Sequence, residues 1–201
     1  MPPDAPIILA FDTSAALSAA VLLRGDTVLA QHHEPLGKNQ VQRLFPIFEE
    51  ILAESALHWS DLTAIAVCIG PGNFTGTRIG VSAARGLMMS LEIPAIGVSV
   101  FEAAALAGLD NSATRITVGM QLPRNRFALQ DFSIGTPPVA LTKPVLADTG
   151  IHSSYNVLHI AKFARQTLAN NGPTPPPAPL YLQPADAAPA KDQPPVILDD
   201  A

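Results

Sequence analysis

The hydrophobic pattern divides the chain into short apolar runs near its start, periodic stretches beyond residue 40, and a proline-rich end. Ile7 to Phe11 (IILAF) is an unbroken apolar run that stops at Asp12, as a strand buried on both faces would. Ser18 to Leu23 and Thr27 to His33 read as further strands, separated by the turn Arg24-Gly25-Asp26. Short connections make an antiparallel meander the expected start. Val41, Leu44, Phe45, Phe48, Ile51 and Leu52 then recur at helical spacing. Pro46 lies among them and lacks an N–H, so a kink or a late helix start is expected there. Ala64 to Ile69 is a buried strand, Thr75 to Leu91 a helix, Ile93 to Ser99 a strand, and Phe101 to Gly108 a short helix closed by its glycine.

The second half is less regular. Arg115 to Leu122 and Arg126 to Phe132 are expected to pair as strands across a turn at Pro123 to Asn125. Pro137 to Lys143 and Pro144 to Gly150 carry weaker strand patterns. Tyr155 to Gly172 is amphipathic: Val157, Ile160, Ala161, Ala164 and Leu168 share a helical face, and Asn171-Gly172 supplies a stop. Beyond Gly172 proline dominates, which predicts an extended tail, with Tyr181 and Leu182 as the side chains that dock it.

Composition narrows the classes. Of 201 residues, 48% are hydrophobic and 14% charged, which suits a packed core and argues against disorder. The net charge of −5 is wrong for a free-standing nucleic-acid binder, so contact with nucleic acid calls for a basic partner. Cys68 is the single cysteine, which excludes an intrachain disulfide and a cysteine metal knuckle. MPPDAPIILAFD has no basic stretch followed by a long apolar one, and no apolar run reaches the roughly 20 residues that span a membrane. A cytoplasmic protein without membrane contact is the expectation.

Three constellations invite chemistry. CIGPGNFTGTRIG, Cys68 to Gly80, follows a strand and opens a helix, the setting of a phosphate loop. A P-loop needs lysine and then Ser or Thr after its last glycine, whereas Gly76 precedes Thr77 and Arg78. Gly70, Gly72 and Gly76 give G-x-G-x-x-x-G, one residue too long for a dinucleotide fingerprint. Gly76 and Gly80 instead form, with Ala83, Ala84 and Leu87, a stripe of small residues that another helix, from this chain or a second subunit, can approach closely. The histidines, His32, His33, His58, His152 and His159, show no H-E-x-x-H spacing, and no metal site is expected. Asp12-Thr13-Ser14 closes the first strand. It reads either as an Asx or Ser/Thr turn, or as the carboxylate and hydroxyls with which actin-like and sugar-kinase-like ATPases handle a metal-bound water and phosphate.

Together, ILAFDTS, NQVQRLFPIFEEIL and AIAVCIGPGNFTGTRIGVSAARGLMMSLEIPAIGVS resemble the TsaB family, also called YeaZ, over roughly the first hundred residues. Asn73 stands where the family usually has serine, and APLYLQPADAA resembles its closing tyrosine-leucine segment. The stretch from about Asp110 to Gly150 matches weakly and looks shortened. The resemblance implies an α/β, actin-like or sugar-kinase-like (ASKHA) fold: two lobes of mixed sheets flanked by helices, the second reduced. The lobes are expected at residues 1–100 and 101–172, with a tail at 173–201.

The resemblance also implies a role. Such proteins are non-catalytic scaffolds that dimerise with the catalytic subunit TsaD, which transfers a threonylcarbamoyl group to the adenosine beside the tRNA anticodon; the ATPase TsaE supports turnover. Contact with tRNA is then made only through the complex, no cofactor is intrinsic, and any ATP or ADP belongs at the subunit interface, near Asp12 and Thr13. Homodimerisation of the isolated chain stays open, as do the alternatives of an actin-like ATPase and a glycoprotease-type peptidase. The helices at about Gln40 to Leu52 and Thr75 to Leu91 correspond to the family's heterodimer helices. The implied interface residues are Gln40, Leu44, Phe48, Gly76, Gly80, Ala83, Ala84 and Leu87. The chain departs from the pattern at Gln40, where a histidine is often kept, and at Gln121-Leu122-Pro123, in place of Asp-Ala-Arg. An amide oxygen is a poor substitute for imidazole with a borderline metal, so no metal and no catalytic residue is assigned.

Overall fold

The structure is a computed structural model that describes residues 5–15, 17–35, 40–108, 114–122, 125–172 and 174–182. The expected meander forms. Strands β1 (Ile7–Asp12), β2 (Leu17–Arg24) and β3 (Thr27–Pro35) pair antiparallel. β4 (Ala64–Cys68) and β5 (Ala95–Val98) then add in parallel on the other side of β1, giving the order β3-β2-β1-β4-β5. This is the sheet of an actin-like lobe. Parallel pairing requires a crossover. α1 (Gln40–Glu54) lies between β3 and β4, and α2 (Phe74–Leu91) between β4 and β5.

Every residue of β1 and β4 is buried, so alternate side chains feed two separate cores. Ile7, Leu9, Phe11, Ile65 and Val67 pack toward α1 and α2, where Phe11 and Phe48 bring their ring centroids to 4.7 Å. Ile8, Ala10, Ala64, Ala66 and Cys68 pack on the opposite face toward α3 (Val100–Ala107) and α4 (Val157–Ala169). α1 runs without interruption through Pro46, so the late start expected there does not occur. Burial of Leu44, Ile47, Phe48, Ile51 and Leu52 along one side outweighs the single missing N–H. The pattern gave no sign of the short 3-10 turn at Trp59–Asp61, which follows α1.

The second sheet is small. β6 (Arg115–Leu122) and β7 (Arg126–Ser133) form the expected hairpin, with Leu122 opposite Arg126; Pro123 and Arg124 of its turn lie outside the described residues. β8 (Val139–Ala140) and β9 (Val145–Ala147) both pair with β7. Of the helices on either side of this sheet in sequence, α4 rests on the first sheet and α3 packs beside α4 and against β6, and Val118, Ala128 and Phe132 join the same core. Of the tail, residues 174–182 are described, and residues 183–201 lie outside the description.

Candidate functional site

Asp12 ends β1, next to the end of β4, and its side chain is buried. Ser14 N–H donates to its Oδ1 at 2.7 Å, closing an Asx turn, and the Tyr155 hydroxyl donates to its Oδ2 at 2.9 Å. Ser14 Oγ lies 3.3 Å from Cys68 Sγ, which is itself 3.9 Å from the Tyr155 oxygen. The cluster therefore ties the ends of β1 and β4 to the segment that enters α4. Burial pushes the Cys68 thiol well above its usual range, and the neighbouring Asp12 carboxylate pushes it further. Burial likewise pushes the Tyr155 phenol up, helped by Cys68 and Asp12. Both stay protonated at neutral pH, so the tyrosine is a donor and the cysteine no nucleophile. Of the two readings of Asp12-Thr13-Ser14, the turn is present, and both carboxylate oxygens take hydrogen bonds from the chain itself.

Thr13 carries the link to α2. Its hydroxyl donates to the Gly76 carbonyl at 2.7 Å. A Cβ on Gly80 would stand 2.5 Å from Thr13 Oγ1 and 3.3 Å from a Val67 methyl. Gly80 lets α2 lie against the chain's own first sheet. The stripe, which the sequence left open to this chain or to a second subunit, is turned inward: Gly76, Gly80, Ala84 and Leu87 are buried, and Phe48 lies wholly within the same core. The reason is register, since Thr13, just after β1, and Val67 of β4 lie under α2 at Gly80, where only glycine fits above them.

The loop before α2 is built for close approach. Gly70 has φ +90°, a left-handed value that favours glycine, and a Cβ on Gly72 would fall 2.5 Å from the Ser14 carbonyl oxygen. Asn73 caps the helix, its side chain accepting from Gly76 N–H at 2.8 Å, while its own N–H donates to Ser14 O at 2.6 Å. The loop grips the β1 turn. Among the described residues no three His, Cys, Asp or Glu side chains gather as a metal site, and no helix is long and apolar enough to cross a membrane.

Two cavities flank the first turns of α2. A cleft of about 700 Å³ opens between the glycine loop and the second sheet, lined by Asn73, Phe74, Met120, Gln121, Arg126 and Tyr181 among others. A groove of about 660 Å³ runs between α1 and α2 over Leu44, Phe45, Phe74, Arg78, Ile79, Ser82, Ala83 and Gly86. Of the implied interface residues, Leu44 and Ala83 line this groove. Gln40 opens α1, and its side chain lies outside the described set. Sequence reasoning missed Phe45, Phe74, Arg78 and Gly86, the outward residues on the same helices. Their signal was the other face of the same helical period. Phe45 and Phe74 are 44% and 48% exposed, values that mark apolar surface available to a partner. The expected docking of the tail is present: Leu180 N–H donates to Ile69 O at 2.8 Å, and Tyr181 OH accepts from Arg78 Nε at 2.8 Å.

Residues 26–118 match the family model described as TsaD, tRNA N6-adenosine threonylcarbamoyltransferase. The chain is 40% identical over 110 residues to the tRNA threonylcarbamoyladenosine biosynthesis protein TsaB of Escherichia coli, covering 54% of this chain and 47% of that one. It is 43% identical over 101 residues to the Bacillus subtilis protein of the same name, covering 50% and 44%. It thus spans about half the length of the curated relatives it matches. The solved structure of YeaZ from Pseudomonas aeruginosa superposes with a TM-score of 0.74 at 20% identity, over 88% of this chain and all of that one, which establishes a common fold. With the sequence match over half its length and this shared fold over nearly all of it, the chain is similar in sequence to TsaB proteins and has the fold of YeaZ.

Proposed function

We propose that this chain is a non-catalytic subunit in the synthesis of threonylcarbamoyladenosine on tRNA, acting by dimerisation with a TsaD-type transferase through α1 and α2. The observation that carries the reading is the α1–α2 groove, whose aromatic rims, Phe45 and Phe74, stand half exposed above the small residues Ser82, Ala83 and Gly86. Small residues between ridges let a second helix settle close to the backbone. The matching family model is that of the transferase and spans β3, α1, β4, α2, β5 and α3, so the partner can offer the same helix pair to pack about a pseudo-twofold axis.

In this reading Asp12 and Thr13 are structural: one is closed by Tyr155 and Ser14, the other holds α2 in place for the partner. Residues 1–100 supply the partner helices, 101–172 a reduced second lobe and 173–201 a tail. The acidic chain leaves tRNA to the assembled complex, in the cytoplasm, with a TsaE-type ATPase sustaining turnover and any ATP or ADP held at the subunit interface. Without the transferase, a second copy of this chain covers the same groove.

The test is reconstitution of tRNA modification from purified components. Activity that requires this chain, with none from the chain alone, supports the reading; full activity without it overturns it. On sizing, the chain and its transferase should run as a heterodimer that Ala83→Arg disrupts. The rival ATPase reading predicts ATP turnover by the chain alone that Asp12→Ala abolishes.

A further inference from the structure

We infer that the tail segment Leu180–Leu182 forms part of the partner-binding surface, with Tyr181 as its contact residue and an acidic, otherwise apolar helix of the transferase-type subunit as the occupant. The inference rests on the heterodimer reading above.

The tail is anchored before it reaches α2. Leu180 N–H bonds to Ile69 O, just beyond β4, and Pro177 lies against Gly97 of β5. Tyr181 then crosses to α2, 103 residues away in sequence, where its oxygen accepts from Arg78 Nε. The Arg78 guanidinium lies over the Phe74 ring, 3.7 Å from its centroid, and the Phe74 and Tyr181 ring centroids are 5.6 Å apart. The three side chains make one assembly in which the tail fixes the arginine's direction.

That assembly is the wall between the two cavities. Phe74 lines both, Tyr181 lines the interlobe cleft, and Arg78 lines the α1–α2 groove. A tyrosine that served only to tie down the tail would be expected to bury its ring; this one is 46% exposed, and Phe74 beside it 48%. Half-exposed aromatic rings gathered around an arginine are the composition of a binding hot spot. With Nε committed to Tyr181, the two terminal nitrogens of Arg78, which bond no described residue, can meet a carboxylate in the paired geometry that guanidinium favours. The groove beside them is apolar, which sets the rest of the occupant's face.

The experiment measures affinity by titration calorimetry between the full chain and its transferase subunit, with a thermal melt of each variant alone. Tyr181→Ala should weaken binding about tenfold or more, and Tyr181→Phe less, with melting temperatures unchanged. Arg78→Glu should weaken binding at least as much as Tyr181→Ala, by setting like charges against each other. Wild-type binding that Tyr181→Ala leaves within about twofold overturns the role of the tail. Unaltered binding by Arg78→Glu overturns the acidic occupant. If the wild-type chain does not bind the transferase at all, the heterodimer reading itself falls, an outcome distinct from the other two.

Discussion

The Tyr155 hydroxyl donates to the Asp12 carboxylate at 2.9 Å, joining residues 143 positions apart in the sequence. Removing that donor leaves a buried carboxylate oxygen short of a partner. Tyr155→Phe should therefore lower stability by about 1–3 kcal/mol, read as a shift in the urea midpoint at constant slope. An unchanged midpoint would mean that water replaces the phenol without cost.

Two glycines on one helix should respond in opposite directions. A Cβ at Gly80 meets Thr13 Oγ1 at 2.5 Å, so Gly80→Ala should cost about 1–3 kcal/mol through overpacking and loss of the Thr13–Gly76 bond. A Cβ at Gly86 meets nothing within 4 Å, so Gly86→Ala should raise stability by up to about 1 kcal/mol through helix propensity. Thermal melts of the isolated chain decide both. Gly86→Leu should spare the fold and block heterodimer formation on sizing.

The Cys68 thiol should be silent to a water-soluble disulfide reagent in the native protein and react fully in denaturant. It is wholly buried, and burial keeps it protonated. Fast native labelling would show that the junction of Asp12, Ser14 and Tyr155 opens on the timescale of the assay.

His159 gives the fold a pH dependence. Its Nδ1 accepts from Asn156 N–H at 3.1 Å, and burial, with Lys162 nearby, lowers its pKa from the usual 6.5 or so. A depressed folded pKa means that the unfolded chain takes the proton first. The contribution is thus complete above about pH 6.5 and is lost as pH falls toward the folded value. His159→Gln, which keeps an acceptor but cannot titrate, should lose less stability than the wild type between about pH 7 and 5.

The first sheet was legible because its strands are either continuous apolar runs or separated by strong turn signals. Asp12 was legible as the end of the first of them. The second sheet was harder: β8 and β9 are only Val139–Ala140 and Val145–Ala147, too short for any period to show. The stripe on α2 left open whether this chain or a second subunit approaches it. A stripe of small residues announces a close approach but not what approaches, and here Thr13 and Val67 of the same chain fill the space. Tyr155 was read as the start of a helix. Its bond to Asp12 depends on how α4 lies across β1, which the sequence of neither element contains.

The placement of α4 on one face of the first sheet, with β6 to β9 before it in sequence, bears on how the protein is made. Ile8, Ala10, Val21 and Leu23 emerge early from the ribosome, but α4, which covers them, is synthesised only at residues 157–169. Through most of its synthesis the nascent chain carries one finished apolar face with half its cover missing. Contacts that join such distant segments form late and leave sticky surface exposed meanwhile. A fragment ending near residue 100 should accordingly be insoluble when expressed, and a chain stalled before α4 is a natural client for chaperones.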